Sequence, residues 1–275
     1  MEKSLPSLTQ KALTATILAA SWPALRSSKL KIAIIAGTGF YNLPALAGRP
    51  PTTVDTTYGQ AVITTGKWHG AEVAFLTRHG IDHTVPPSQV NYRANIQALK
   101  NWGAELIIGV NVVGGVDKKL KPGALQLVDD FIDFTHGRAD TFFDGVQEGG
   151  VQHIDMTYIY DKDIQKALAK SANKADIKLH KGGIYAVFNG PRFESPAEIR
   201  MCAAMGVTIV GMTGVPEATL AREAGLRYAA IAAVANPAAG LSKEEISHEG
   251  VGEVIKGCAG NVITIIDGAI KILAS

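Results

Sequence analysis

The chain has 275 residues, 47% of them hydrophobic and 19% charged, with 29 Gly and 12 Pro. That is a turn-rich globular composition, and it excludes an intrinsically disordered chain. The two cysteines, Cys202 and Cys258, exclude a disulfide scaffold and a four-cysteine zinc site and fit a reducing compartment, so a cytoplasmic location is expected. The formal net charge is +2, but residues 1–31 carry a surplus of +4 (Lys3, Lys11, Arg26, Lys29 and Lys31 against Glu2), which leaves the body at −2. A body without a basic face is not a nucleic-acid binder, and no apolar run approaches the roughly 20 residues of a membrane span.

Residues 1–29 read as an N-terminal extension to a body over 30–275. The apolar run 12–20 is broken by Thr14 and Thr16. An amphipathic helix or an arm packed on the body fits it better than a signal peptide or a cleaved organelle address.

The body alternates strands and helices. A strand over 30–36 runs into Gly37-Thr38-Gly39, and a second over 72–77 ends at Arg78-His79-Gly80. The spacing predicts a helix over 86–102 with a Gly103 stop. The nearly all-apolar 106–113 reads as a strand buried on both faces. A helix over 161–175, a strand over 183–188, a helix over 197–205, a short strand over 208–212 and a helix over 216–224 follow. A strand over 228–234 precedes two helical stretches over 243–259 and 261–274. This is an α/β pattern: one domain, a central mixed sheet flanked by helices. Ligands of such sheets collect at the carboxyl ends of strands. Thr38, Arg78, His79, Asn111, Thr213 and Asn236 all fall at or near predicted strand ends.

Each cluster taken alone has an ordinary reading beside a functional one. Gly37-Thr38-Gly39 lacks the third glycine of a dinucleotide fingerprint and is followed by Pro44, Pro50 and Pro51, so it reads either as a tight turn or as a hydroxyl and backbone amides facing an oxyanion. Arg78-His79 suits a bidentate anion clamp with a neighbouring donor, or an ion pair at the surface. His79 and His83 stand four apart without a partnering carboxylate pair, so no metal site is expected. Phe193-Glu194, after Gly190-Pro191-Arg192, can stack on a flat ring and accept its N–H groups, or be a core Phe beside a solvated Glu. Thr213 to Glu217 opens a helix and suits either an anion or an ordinary first turn. Asn236 offers an acceptor and a donor side by side, matched to a heterocycle with N–H next to C=O, and is equally a turn-forming residue.

The order of these clusters resembles the trimeric purine nucleoside phosphorylase and methylthioadenosine phosphorylase family over about 31–272. The segments that carry it are Ile34-Ile35-Ala36-Gly37-Thr38-Gly39, Arg78-His79-Gly80, Pro87-Ser88-Gln89-Val90-Asn91-Tyr92-Arg93-Ala94-Asn95, Asn189-Gly190-Pro191-Arg192-Phe193-Glu194 and Gly211-Met212-Thr213-Gly214-Val215-Pro216-Glu217. The resemblance implies cleavage of a purine nucleoside by inorganic phosphate, a co-substrate, with no further cofactor and no metal. It implies phosphate held by Thr38, Arg78, His79 and Thr213 with Asn111 and Val112 nearby, and the base held by Phe193, Glu194 and Asn236. Met212 and His83 would lie at the sugar. His248 would lie at its 5′ end, together with His153 from a neighbouring subunit of a homotrimer. Asn236 and His79 would take the catalytic roles.

Glu194 and Asn236, with Ala238, depart from the methylthioadenosine enzymes and match the 6-oxopurine ones, so inosine and guanosine are the expected substrates. The segments around Asn111 and Asn236 also look like bacterial methylthioinosine phosphorylases, and that substrate stays open. A nucleoside hydrolase and a non-catalytic nucleoside-binding module are the readings from outside the family.

Overall fold

The computed structural model describes residues 30–37, 39–40, 43–145 and 150–275, with the side chain of His248 outside the described set. The predicted extension over 1–29 and Thr38 therefore lie outside the described residues.

Among the described residues, nine strands form one mixed sheet: β1 (Lys31–Ala36), β2 (Pro51–Thr56), β3 (Gly59–Trp68), β4 (Ala71–Thr77), β5 (Leu106–Gly115), β6 (Leu125–Asp133), β7 (Leu179–Val187), β8 (Ile209–Gly211) and β9 (Arg227–Pro237). Their order is β2-β3-β4-β1-β5-β8-β7-β6-β9, and a further β5–β9 pairing closes the last five into a ring. β1 runs parallel to both β4 and β5, and β5 runs parallel to β9, so four strands deliver their carboxyl ends to one rim.

The apolar strands alternate between two cores because successive side chains point to opposite faces. In β1, Ala33 and Ile35 join Ile96 and Leu99 of α1 (Tyr92–Trp102) and Ala218 and Ala221 of α4 (Gly214–Glu223). Ile32 and Ile34 join Ile164 and Leu168 of α2 (Lys162–Lys174) and Val262 and Ile266 of α5 (His248–Leu273). A smaller cluster holds Ile199 and Cys202 of α3 (Pro196–Ala204) against Ala186, Val210 and Ala238.

The structure differs from the sequence-based expectation in three respects. The helix expected from 86 begins at Tyr92: Pro87–Gln89 forms a 3₁₀ turn, and Asn91 caps the helix by accepting from the Ala94 N–H. Consecutive prolines hold the preceding residues extended, which delays the start. The two C-terminal helical stretches are one helix, because Cys258, Val262, Ile265 and Ile266 stay on one buried face across Gly260, while Ser247 caps at Gly250 and leaves 243–247 outside. Finally, β2, β3 and β6 exceed the predicted strand set. β2 is largely exposed and threonine-rich, and β6 is charged along its second half, so neither shows an apolar run.

Candidate active site

A cavity of about 370 Å³ opens at the carboxyl ends of β1, β4, β5, β8 and β9. Arg78, His79 and His83 line it from the loop after β4, Val112 from β5, and Met212 and Thr213 from the β8–α4 junction. Phe193, Glu194 and Asn236 line it from the loops after β7 and at the end of β9. Asn111 does not line the cavity; it sits inside β5 rather than at its end, and its Oδ1 accepts from Thr213 Oγ1 (3.3 Å). Its Nδ2 is buried without a partner among the described residues. His153 is exposed and apart from the cavity of its own chain. Thr38 and the His248 side chain lie outside the described residues.

Arg78 is neither a surface ion pair nor an open bidentate clamp. It is buried, its Nε and Nη2 donate to Glu217 Oε2 (2.7 Å) and Oε1 (2.8 Å), and its Nη1 donates to the Val110 carbonyl (2.9 Å). The forked edge is therefore used on Glu217, which leaves one hydrogen on each Nη for anything else. Burial alone would favour losing the guanidinium proton, but the Glu217 carboxylate more than reverses this and holds Arg78 firmly charged. Glu217 also accepts from the Tyr228 hydroxyl (2.7 Å). The helix α4 supplies this carboxylate from its first true turn, since Val215 is extended (φ −124°, ψ 134°) and regular helix starts at Pro216. In the sequence Glu217 reads as an ordinary first-turn acid, and no local signal marks it as the partner of Arg78.

His79 donates from Nδ1 to the Val85 carbonyl (2.8 Å). A carbonyl can only accept, so Nδ1 carries the hydrogen and Nε2 carries a lone pair. Burial first, and the neighbouring Arg78 charge second, push the imidazole down to about 4 from 6.5, so the ring is neutral. Its contribution to stability is complete above pH 6.5 and is lost as pH falls toward 4, because the unfolded ring takes up a proton first. The His83 ring meets His79 edge-on at 4.8 Å, and its backbone is held at φ 53°, in the region that glycine favours. With Arg78 neutralised by Glu217 and His79 uncharged, these groups offer donors and lone pairs rather than net positive charge.

On the opposite wall, Glu194 is buried, its Oε1 has no partner among the described residues, and burial pushes its carboxyl above the usual range. Asn236 donates one Nδ2 hydrogen to the Pro237 carbonyl (2.8 Å), which fixes the amide and leaves Oδ1 and the second hydrogen for a ligand. Phe193 is 40% exposed and flanks the opening, as a ring awaiting a planar partner would. Gly190 has φ 64°, and a Cβ there would collide with the Met212 side chain, so glycine is what lets the two loops approach.

The donors and lone pairs of Arg78, His79 and Thr213 and the Glu194 and Asn236 side chains thus share one cavity at the strand ends of an α/β sheet. The chain belongs to the phosphorylase superfamily, whose model matches residues 31–271. A probable 6-oxopurine nucleoside phosphorylase of Moorella thermoacetica is 46% identical over 88% of this chain and 92% of its own length. A probable S-methyl-5′-thioinosine phosphorylase of Methanothermobacter thermautotrophicus is 44% identical over 87% and 83%. Among solved structures, the methylthioadenosine phosphorylase of Schistosoma mansoni in complex with adenine superposes with a TM-score of 0.84 at 31% identity, covering 89% of this chain and 92% of that one. The single-domain mixed sheet flanked by helices is thus the nucleoside phosphorylase fold.

Proposed function

We propose that this chain is a purine nucleoside phosphorylase, a pentosyltransferase that cleaves 6-oxopurine nucleosides with inorganic phosphate to free base and ribose 1-phosphate. The observation that carries this reading is the shared cavity, which sets the Arg78–His79–Thr213 floor against the Glu194 carboxylate and the Asn236 amide. Phosphate on that floor lies below the anomeric carbon. As the C1′–N9 bond breaks, its electron pair leaves with the base, the sugar becomes cation-like, and a phosphate oxygen forms the new bond to C1′. The proton given up by the phosphate balances the one the base gains at N7. Asn236 Oδ1 accepts that N7–H while Nδ2 donates to O6, and Glu194 accepts from N1–H. Met212 and His83 border the sugar, and Phe193 stacks on the base.

A half-turn of the Asn111 amide would give its orphan Nδ2–H to Thr213 Oγ1 and free the Thr213 hydroxyl hydrogen for phosphate; amide orientation follows the hydrogen-bond network. Thr38, Val112 and His248 complete the proposed contacts, with no metal or further cofactor. The chain is proposed to work as a homotrimer in the cytoplasm, with His153 of a neighbouring copy at the 5′ end of the sugar; its mass in solution by sedimentation tests the assembly.

The lone pair on His79 Nε2 makes a sharp expectation. Phosphate carries a hydroxyl that donates to it, whereas sulfate does not. Sulfate should compete with phosphate about tenfold to a hundredfold more weakly than its charge implies at pH 8, the cost of one unpaired buried acceptor facing another. It should gain ground only as the pH falls toward 4, where His79 takes up a proton. His79→Gln, which can turn a donor to the site, should erase the discrimination. Sulfate inhibition at pH 8 as strong as its charge alone implies, in the parent chain, would refute the assignment.

A second reading, phosphorolysis of 5′-methylthioinosine, is favoured by one observation: the apolar Val251, in the first turn of α5, lines the cavity. Initial rates on inosine, guanosine, adenosine, 5′-methylthioinosine and methylthioadenosine, with and without phosphate, test both. Inosine and guanosine should lead, and omission of phosphate should abolish turnover. Full rates without phosphate would instead identify a hydrolase, and purine binding without turnover a binding module.

A further inference from the structure

We propose that Arg138 is a positioning residue for phosphorolysis, the guanidinium that holds the base-, sugar- and phosphate-facing loops in one register. This rests on the phosphorolysis reading above. Arg138 lies on the loop after β6 and does not itself line the cavity. Its Nη1 donates to the Val215 carbonyl (2.9 Å) and to the Tyr92 hydroxyl (3.3 Å). Its Nη2 faces the carbonyls of Met212 (2.9 Å), Asn189 (3.1 Å) and Phe188 (3.3 Å).

Each of those carbonyls belongs to a segment that carries a cavity group. Phe188 and Asn189 lead into Gly190-Pro191 and so into Phe193 and Glu194. Met212 lines the cavity and precedes Thr213. Val215 is the extended residue two positions before Glu217, which holds Arg78. These carbonyls lie at strand ends or at a helix kink, where regular secondary structure does not supply all their partners. One planar, permanently charged fork serves them all, which a lysine's single ammonium cannot do with the same geometry.

The loop that bears Arg138 is itself pinned to the site. Phe134 stacks on Phe188 with ring centroids 4.9 Å apart and an interplanar angle of 18°. The Asn189 side chain and the His136 backbone exchange two hydrogen bonds: the His136 N–H donates to Oδ1 (3.2 Å), and Nδ2 donates to the His136 carbonyl (2.9 Å). Further along, Thr141 Oγ1 and the Phe142 N–H both donate to Glu223 at the end of α4 (2.8 and 2.6 Å). The guanidinium is therefore set before any ligand arrives. Its Nε–H is buried without a partner among the described residues, so the side chain is oriented for its Nη contacts rather than for its own solvation.

The test is steady-state kinetics on R138A and R138K beside the parent chain, varying inosine and phosphate separately. Small displacements of reacting groups cost about 100-fold in rate. R138A should therefore lose about 100-fold in kcat, with KM raised for both substrates, because the loops for both lose register together. R138K should recover only part of this. Millimolar guanidinium should restore a measurable share of kcat to R138A and nothing to the parent chain, a response that general destabilisation would not give. R138A with kcat and both KM values near parental, or a lower Tm with undiminished kcat per folded molecule, would overturn the proposal. If R138A does not fold, R138K carries the test, and a parental kcat in R138K overturns it. A parent chain without phosphate-dependent turnover would instead defeat the phosphorolysis reading and the proposal with it.

Discussion

Replacing Glu217 with Gln should destabilise the folded chain by about 3–5 kcal/mol, the usual result of removing one partner from a buried ion pair. The pair is well shielded, with side-chain exposures of 1% for Arg78 and 2% for Glu217. The fork of Arg78 meets both carboxylate oxygens, so a Gln amide in their place turns its own N–H groups toward another donor. Arg78 would stay charged without its counter-ion. For a domain of this size each kcal/mol shifts Tm by about 2–4 °C, so calorimetry should register a fall on the order of 10 °C. The functional effect should be selective as well. Arg78 would leave its place beside the Val110 carbonyl, and KM for phosphate should rise more than KM for inosine. Tyr228→Phe is the matched comparison, because it removes only the hydroxyl that donates to Glu217 and should cost about 1 kcal/mol. A Glu217→Gln chain that melts with Tyr228→Phe would show that Arg78 finds other partners and that the pair does not brace the cavity floor.

The same pair explains what was legible in the sequence. Arg78, His79, Met212, Thr213, Phe193, Glu194 and Asn236 stand within two residues of a Gly or Pro at or after strand ends, where local pattern marks a turn and its polar cargo, and they converge on one cavity. The predominantly apolar β1, β5 and β9 were readable because strands buried on both faces leave no polar phase. Long-range pairing was not readable. Nothing local to Glu217 says that it meets a residue 139 positions away. Arg138 lies in a loop whose neighbours carry no period at all. β2 is an exposed edge strand, and β3, paired between β2 and β4, carries threonines and glycines that imitate a loop, so their strand character comes from the pairing itself.

On the proposed reading, substrate choice depends on which atoms of Asn236 donate, and Asn236→Asp should change it. On that reading the free Nδ2 hydrogen of the parent chain meets the O6 carbonyl of hypoxanthine or guanine. A 6-amino group would present a donor to that donor, and a site built to hydrogen-bond one pattern rejects the unpaired analogue by about 10⁴-fold. Asp reverses the edge to acceptors only, so the ratio of kcat/KM for inosine over adenosine should fall by about 100-fold or more, since mispairing is removed for one substrate and created for the other. The absolute rates should fall as well. The new carboxylate would face the Pro237 carbonyl, which now accepts from Nδ2 at 2.8 Å, and two acceptors at that distance repel. Asn236→Ala removes both hydrogen bonds without reversing either, so it should lower inosine turnover while leaving adenosine poor. The reversal stays incomplete while Glu194 is ionised, because adenine N1 is a lone pair and would face the orphan Oε1. Burial raises the Glu194 carboxyl above its ordinary value, so lowering the pH protonates it early and gives N1 a donor. Adenosine turnover by Asn236→Asp should therefore rise relative to inosine as the pH falls, and adding Glu194→Gln should remove that dependence. An inosine-to-adenosine ratio within twofold of the parental one in Asn236→Asp would mean that the base is read by other groups.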